Sequence, residues 1–510
     1  MFRSNRLHHT VPVVRLSLYN SLFVWGLATA GCVLFAACLH RANAQDVPTA
    51  SQMNVLFIAV DDMRVELGCY GSPIVQSPHL DGLAERSLVF DRAYCQQSVC
   101  NPSRASMLTG LRLDTLGIGD LETHFRQRDP SIVTLPQLFK NNDYQAHGIG
   151  KIFHNFRQDE FQGDRASWSV EQQLHYGNHN KNPAEVEGVL PADQAGVARA
   201  ERRDVPDDAY WDGQIADLAV ERLRELRGEP FFLGVGFWKP HLPFNAPAKY
   251  WDQYDFDQVG MPVNPLPPEN VPALAMHDGK ELMRNFPDGL TDDQVRLFRH
   301  GYYAAISYVD AQIGKVLDEL DRLGLRESTI VVFWSDHGFH LGEHDLWCKT
   351  SNFELDARVP LMISVPGSPS QAQRTDALVE LLDVYPTLAD LCGLTPPDNL
   401  EGLSMQPILD DPRATIHDAV LTQHPRPPYA QKNRPFTEMG YSIRTPGYRY
   451  TQWLDLASGN VVATELYDHG QNPLETVNLS GRDNVAAIER VLAKKLEGLA
   501  RIDTFREASQ

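Results

Sequence analysis

Cysteine is scarce in this chain, and its spacing argues against a structural zinc site. Only 7 of the 510 residues are cysteine, and no C-x-x-C pair or Cys/His cluster with zinc spacing occurs. Two of the seven lie within the first 44 residues. Five cysteines remain after residue 44, and because five is odd, at least one of these thiols is unpaired, modified or reactive. These five are Cys69, Cys95, Cys100, Cys348 and Cys392.

An excess of basic residues is also missing. The chain has 46 Lys and Arg against 66 Asp and Glu, which gives a formal net charge of −20. Such an acidic chain is poorly suited to bind nucleic acid or an anionic membrane, so neither is predicted as a partner. An anionic substrate would require a local basic pocket. The composition, 43% hydrophobic without repeats or low-complexity tracts, is that of a globular protein with one large domain and an appendage, or two to four domains.

Long hydrophobic runs are absent after residue 44. The apolar run at 22–39 is preceded by three arginines and followed by an Ala-Asn-Ala pattern ending at residue 44. This arrangement predicts a secretory signal peptide over 1–44 and a secreted or periplasmic protein. Two alternatives stay open, an uncleaved membrane anchor and lipid attachment at Cys32 or Cys38.

Short apolar runs alternate with helical patterns through most of the chain. A helix is predicted over about 294–323, with Gly324 as its stop. Strands alternating with helices predict an α/β fold with a large, mostly parallel sheet over 50–395. Alternating runs after residue 393 and a helix near 484–499 predict a C-terminal part over 396–510 with a small antiparallel sheet. The predicted strands are 54–60, 231–237, 330–334 and 361–365, followed by 441–443, 448–453 and 461–465.

Two acidic pairs follow predicted strands directly. Asp61 and Asp62 come after the first apolar run, and Asp336 and His337 come after the run at 330–334. Because the carboxyl ends of parallel strands meet at one edge of a sheet, these side chains are expected to converge. A single Asp-Asp pair is usually a cap or loop, but two convergent clusters indicate a site for a hard cation.

A third element is the pentapeptide Cys100-Asn101-Pro102-Ser103-Arg104 with a downstream Leu-Thr-Gly. Pro102 and Ser103 are suited to open a helix, which would place Cys100 beside its N-terminal amides. A plain thiol there is either a reactive nucleophile or a buried small residue. The pentapeptide resembles the C-x-P-S-R motif of the type I sulfatases, which directs oxidation of the cysteine to formylglycine. Further matching motifs are G-K-I-F-H from Gly150, K-P-H-L-P-F from Lys239, S-D-H-G from Ser335 and W-C-K from Trp347.

This resemblance covers about residues 53–479 and implies a sulfuric ester hydrolase with an alkaline-phosphatase-like fold. It also implies that the modified Cys100 binds Ca²⁺, or alternatively Mg²⁺, together with the two acidic clusters. An oxygen-rich ligand set with one imidazole suits these cations better than a soft metal. The maturation enzyme that generates formylglycine is an implied partner. The implied metal ligands are Asp61, Asp62, Cys100, Asp336 and His337.

The resemblance further implies a mechanism. One hydroxyl of the hydrated aldehyde attacks sulfur, and loss of the proton from the second hydroxyl expels sulfate and restores the aldehyde. Arg104 would stabilise the diol and the sulfate, while Lys151 and Lys349 would hold sulfate oxygens. His241 would protonate the leaving oxygen, with Lys349 as the alternative acid. His154 would accept the proton from the second hydroxyl.

The expected substrate is a sulfated carbohydrate. The motifs are most similar to those of family members that remove a 2-O-sulfate from iduronate at a non-reducing end. The sugar would be read by the loops at 158–206 and 423–434, where Arg426, Lys432 and Arg434 either pair with a uronate carboxylate or form a solvated basic loop. Three alternatives stay open: another sulfated glycan, a phosphoester hydrolase of the same superfamily, or a non-catalytic glycan-binding relative.

Overall fold

A computed structural model gives the fold. It describes residues 52–155, 157–175, 200–277, 279, 281–429 and 435–501. The predicted signal peptide and residues 176–199 of the 158–206 loop lie outside these ranges. Within the described ranges, no helix has the length and apolar character needed to cross a membrane.

Seven strands form the central sheet, in the order β11-β2-β10-β7-β1-β5-β3. Four more, β12 to β15, form a separate antiparallel sheet in sequential order. The strands are β1 (Asn54–Asp61), β2 (Leu88–Tyr94), β3 (Gln145–Gly150), β4 (Ala200–Arg203), β5 (Phe231–Pro240), β6 (Phe244–Pro247), β7 (Thr329–Ser335), β8 (His340–Leu341), β9 (Trp347–Cys348), β10 (Arg358–Ser364), β11 (Gln373–Glu380), β12 (Val420–Arg426), β13 (Glu438–Arg444), β14 (Tyr448–Asp455) and β15 (Val461–Asp468).

Helices cover the central sheet on both faces, because its buried strands send alternate side chains to opposite sides. In β1, the side chains of 56, 58 and 60 join one core with α6 and α8, and those of 55, 57 and 59 join another with α2, α5 and α10. The helices are α1 (Pro78–Ala84), α2 (Cys100–Thr109), α3 (Leu113–Leu116), α4 (Phe125–Arg128), α5 (Leu135–Lys140), α6 (Trp211–Glu225), α7 (Ala248–Trp251), α8 (Asp292–Arg322), α9 (Glu354–Ala357), α10 (Val384–Leu391), α11 (Gln406–Asp410) and α12 (Ala486–Glu497).

The four predicted core strands correspond to β1, β5, β7 and β10, and the sheet is mostly parallel as predicted. Six of the seven strands run in one direction, whereas β10 is antiparallel to both of its neighbours. The direction of β10 could not be predicted, because a strand buried on both faces has the same apolar run in either direction.

The long predicted helix is α8. Thr291 caps its N-terminus in a reciprocal pair with Gln294, and Gly324 follows its end with a φ of +70°. The α8 side chains of Ile306, Val309 and Ile313 are fully buried in the core, as their spacing predicts.

In the C-terminal part, the three predicted strands are β13, β14 and β15, and the predicted helix is α12, which packs on this sheet. β12 was not predicted as a strand, because the sequence from residue 423 onward was interpreted as a basic loop. The bounds of the two predicted parts, 50–395 and 396–510, stay predictions. The described residues from 52 onward form one compact unit.

The parallel strands β1, β3, β5 and β7 end along the same edge of the central sheet. Their last residues are Asp61, Gly150, Pro240 and Ser335. The helix α2 begins at Cys100, the first residue of the pentapeptide. This edge therefore gathers the chain segments that contain the predicted site.

Candidate active site

The two acidic clusters meet at the edge where β1 and β7 end. Asp61, Asp62, Asp336 and His337 are all fully buried. His337 Nε2 lies 3.2 Å from Asp62 Oδ1, and the Asp62 amide donates to Asp336 Oδ1 at 3.2 Å. The convergence expected from strand order is therefore present.

Cys100 lies between these clusters at the start of α2. Its Sγ atom is 3.4 Å from Asp61 Oδ1 and 3.4 Å from His337 Nε2. The hydroxyl of Ser103 donates to the Asp336 carbonyl at 2.5 Å, which holds the first turn of α2 against the end of β7. Burial and the neighbouring Asp61 carboxylate raise the pKa of the Cys100 thiol well above its usual value. An unmodified thiol would therefore be a poor nucleophile here, despite the helix N-terminus.

Arg104 lies behind the carboxylates, with no accessible surface. Its Nε donates to Asp336 Oδ2 at 2.8 Å and its Nη2 donates to the Val60 carbonyl at 3.0 Å. Nη1 donates to the carbonyls of Lys151 and Ile152. The guanidinium thus joins the ends of β1, β3 and β7. Its charge would act on a bound cation or sulfate through the carboxylates that it holds in place.

Two lysines border the cluster from other loops. Lys151, directly after β3, forms an ion pair with Asp61. The Lys349 ammonium lies 3.0 Å from each oxygen of Asp62 and 3.1 Å from His241 Nε2. Both lysine side chains are about 2% exposed. Although the overall charge is −20, the site thus contains two cations that an anionic substrate could contact, each of them paired with a buried carboxylate.

The two predicted catalytic histidines are buried next to these lysines. His241 Nδ1 lies 2.6 Å from the Leu242 carbonyl, so Nδ1 carries the proton and Nε2 accepts from Lys349. Burial, followed by Lys349 and Lys151, lowers the pKa of His241 well below its usual value. Burial, followed by Lys151 and Arg104, does the same for His154. Both imidazoles are therefore neutral in this arrangement.

Glu281 is a charged residue of the site that sequence reasoning missed. Its carboxylate lies 2.9 Å from the Lys349 ammonium and accepts a hydrogen bond of 2.6 Å from the Tyr429 hydroxyl. Glu281 belongs to none of the motifs, and the two partners lie far along the chain. No periodicity or local pattern in the sequence therefore indicated it.

Arg426, in contrast, does not face a substrate. Its side chain is buried over the Trp453 ring, and its guanidinium donates to the carbonyls of Leu274, Ala275 and Thr350. The expectation that Arg426 pairs with a uronate carboxylate is wrong, because these backbone acceptors hold the guanidinium. Lys432 and Arg434 lie outside the described residues.

The donor set at the centre suits a hard divalent cation. One ligand atom from each of Asp61, Asp62, Cys100 and His337 lies within 4.8 Å of the others. His337 Nδ1 lies 2.9 Å from the Gly338 carbonyl, which leaves the Nε2 lone pair directed at the cluster. Burial and nearby carboxylates raise the pKa of Asp61 and Asp62, and a cation between these groups would relieve that repulsion. The carboxylates and one imidazole fit Ca²⁺ or Mg²⁺ if an oxygen of formylglycine replaces the Cys100 sulfur, which as a thiolate would suit a softer metal.

Adding Ca²⁺ is expected to raise the melting temperature of protein freed of divalent ions. A ligand that binds only the folded state stabilises it, by about 2.7 kcal/mol at 100 times its Kd. Thermal unfolding with added Ca²⁺ or Mg²⁺ measures this shift. In Asp62→Asn the shift should be largely lost, and an equal shift in both proteins would exclude this cluster as the binding site.

The chain shares both sequence and fold with known proteins. Residues 53–394 match the family model described as Sulfatase. The chain belongs to the sulfatase family. Residues 342–501 of this sulfatase also match the model for the C-terminal part of N-sulphoglucosamine sulphohydrolase. The family is one of sulfuric ester hydrolases, so the sulfatase is an enzyme of that class.

Among the relatives of the sulfatase are two mammalian enzymes. It is 34% identical to human iduronate 2-sulfatase and 33% identical to the mouse enzyme, each over 89% of this chain and 96% of the relative. A phosphonate monoester hydrolase from Silicibacter pomeroyi has a similar structure, with a TM-score of 0.73 and 22% identity over 88% of this chain and 95% of that one. The alkaline-phosphatase-like fold that the motifs implied is thereby confirmed.

Proposed function

We propose that this sulfatase removes the 2-O-sulfate from iduronate, or a related uronic acid, at the non-reducing end of a sulfated polysaccharide. The observation that carries the proposal is the position of Cys100, whose Sγ lies 3.4 Å from both Asp61 and His337 in a pocket bordered by Lys151 and Lys349. The match to two iduronate 2-sulfatases along 89% of the chain supports the sugar assignment.

The buried cations would bind the sulfate group. The ammonium groups of Lys151 and Lys349 border the cluster, where they can neutralise the negative charge of sulfate oxygens. Oxidation of Cys100 to formylglycine would supply a hydrated aldehyde as nucleophile, and Ca²⁺ in the carboxylate cluster would supply positive charge that activates it. Arg104 would hold Asp336 in place for this cation, through its 2.8 Å bond.

Proton transfer to the departing sugar oxygen is assigned to Lys349. His241 was the first candidate for this acid, but its Nε2 atom accepts from Lys349 at 3.1 Å and therefore has no proton to give. Lys349, the alternative candidate, has that proton, and His241 would orient it. His154, neutral and buried near Lys151, has the one basic lone pair needed to accept the proton from the second hydroxyl of the hydrated aldehyde.

The proposal includes two events that would precede catalysis. The N-terminal pattern of charge and apolar residues supports export and an extracytoplasmic location. The pentapeptide at Cys100 supports a partner enzyme that generates formylglycine. Both remain proposals that rest on the sequence.

A panel of substrates tests the proposal. Sulfate or phosphate release is measured with defined oligosaccharides carrying iduronate 2-sulfate, glucuronate 2-sulfate or glucosamine 6-sulfate, and with p-nitrophenyl sulfate and p-nitrophenyl phosphate. The expected result is the highest kcat/KM on the terminal iduronate 2-sulfate, because this sugar is the one that the two relatives are named for.

The controls separate the alternatives. The same iduronate 2-sulfate placed inside a chain should be inert, which distinguishes exo from endo action. Dominant phosphate release would favour a phosphoester hydrolase, and glycan binding without release would favour a binding protein. Faster turnover of a different sulfated sugar would disprove the iduronate assignment while retaining the sulfatase.

A further inference from the structure

The Lys349 ammonium has more acceptors around it than it has protons. It has three N–H groups, and four acceptor atoms lie within 3.1 Å: both oxygens of Asp62, His241 Nε2 and one oxygen of Glu281. Asp62, His241 and Glu281 also form a cluster of metal-ligating types. Because the ammonium is already among them, this cluster needs no second cation.

Of the two carboxylates, Glu281 is the one that remains for Lys349. Asp62 belongs to the group expected to bind the divalent cation, and its oxygens would then be shared. Glu281 lies outside that group of four. Burial alone would raise the pKa of Glu281, but Lys349 and the Tyr429 hydroxyl outweigh burial and keep the pKa low. Glu281 is thus an anionic partner of Lys349 next to the pocket.

Described residues on both sides of Glu281 are linked by hydrogen bonds. Its neighbour Leu282 is fully buried in the main core, and the amides of Leu282 and Met283 donate to the Gly279 carbonyl. Tyr429, just after β12, donates to the second oxygen of Glu281 at 2.6 Å. Glu281 is therefore held in two ways. Its chain neighbours form a turn anchored by Leu282, and its carboxylate is bound by Tyr429 from the C-terminal part of the chain.

We propose that Glu281 is a positioning residue, which holds the Lys349 ammonium on the leaving oxygen of the sulfate ester, and that Tyr429 acts through Glu281. The proposal rests on the proposed function of Lys349 as the group that protonates the leaving sugar. Without the carboxylate, the long lysine side chain would lose the one charged partner that the described residues give it outside the cation cluster. It would then visit orientations in which its proton does not face the leaving oxygen.

The experiment compares leaving groups. A sugar alkoxide needs a proton as it leaves, whereas p-nitrophenolate leaves readily without one. Glu281→Gln keeps the shape of the side chain and removes its charge. We expect kcat/KM on the sugar sulfate to fall about 10- to 100-fold, which is less than the roughly 10²- to 10⁴-fold of full general acid catalysis, because Lys349 itself remains. The fall on p-nitrophenyl sulfate should be less than about threefold.

Two further variants make the result specific. Tyr429→Phe should lower kcat/KM by less than Glu281→Gln does, and again more on the sugar sulfate than on p-nitrophenyl sulfate. Combined with Glu281→Gln it should lower kcat/KM little further, because both changes act on one contact. Glu343→Gln is the control, since Glu343 is also a glutamate held by ion pairs, in its case with Arg64 and Arg299 and not with Lys349. It should change the melting temperature without changing the ratio of activities on the two substrates.

Equal losses on both substrates in Glu281→Gln, or no loss, would overturn the proposal. If Glu281→Gln does not fold, the ratio of the activities of Tyr429→Phe on the sugar sulfate and on p-nitrophenyl sulfate tests the proposal instead. The failure of the proposed function looks different, because the wild type would then hydrolyse phosphate esters in place of sulfate esters. In that case Glu281 would be tested with a series of aryl phosphates whose leaving groups differ in acidity. The loss of activity in Glu281→Gln should again be larger for the poorer leaving groups.

Discussion

Replacing Cys100 by alanine is expected to reduce sulfate release by about 10⁴-fold or more, since the variant loses the nucleophile and keeps only the binding groups. Folding should be retained, because the side chain is small and contributes no hydrogen bond to the backbone. Initial rates on p-nitrophenyl sulfate measure the loss of activity, and the melting temperature of the variant checks that it is folded. Retention of more than about one hundredth of the activity would exclude residue 100 as the nucleophile.

The wild-type chain offers an internal control for the modification. Trypsin releases Ala93–Arg104, a peptide that contains both Cys95 and Cys100. After treatment with a thiol-alkylating reagent, active protein should have one alkylated cysteine, Cys95, and an aldehyde at residue 100. Two alkylated cysteines in fully active protein would contradict the formylglycine mechanism.

Arg104→Ala is expected to affect both activity and stability. The variant leaves Asp336 and Asp61 buried without their shared cation, and removing one partner of a buried pair costs about 3–5 kcal/mol. Turnover should also fall by about 10²- to 10³-fold, because the carboxylate cluster that supports the nucleophile shifts. Chemical unfolding and kcat, the latter measured well below the melting temperature, give the two effects separately.

Arg104→Lys is the matched control. It retains the charge but cannot reproduce the donors that join Asp336 to the carbonyls of Val60, Lys151 and Ile152. We expect most of the stability to return and most of the turnover to stay lost. Full activity in Arg104→Lys would mean that only the charge matters, and not the joining of three strand ends.

The positions of the proposed metal-binding and nucleophile residues could be predicted because two simple rules apply to them. Apolar runs mark the buried strands, and parallel strands bring their carboxyl ends to one edge. Asp61, Asp336 and their neighbours follow such runs directly, so their convergence followed from strand order. Cys100 was recognised from a motif with a specific spacing.

The parts that could not be predicted depend on contacts between distant segments. The apolar run of β10 does not indicate in which direction the strand lies in the sheet. The ion pair between Glu281 and Lys349 joins two segments that no shared sequence motif connects. Arg426 was misinterpreted because it lies in a basic, proline-rich sequence. Its burial is determined by Trp453 and by the carbonyls of residues 274, 275 and 350, which only the tertiary structure brings to it.

The burial of the pentapeptide determines when in the life of the protein its cysteine can be changed. Cys100 and Asn101 are at most 4% exposed, Ser103 and Arg104 are not exposed at all, and Pro102 is buried with them. A modifying enzyme that binds these five residues cannot reach them in the folded molecule. The proposed oxidation of Cys100 would therefore have to occur before this part of the newly made chain folds. On this proposal, a molecule that folds first would keep its thiol and be inactive.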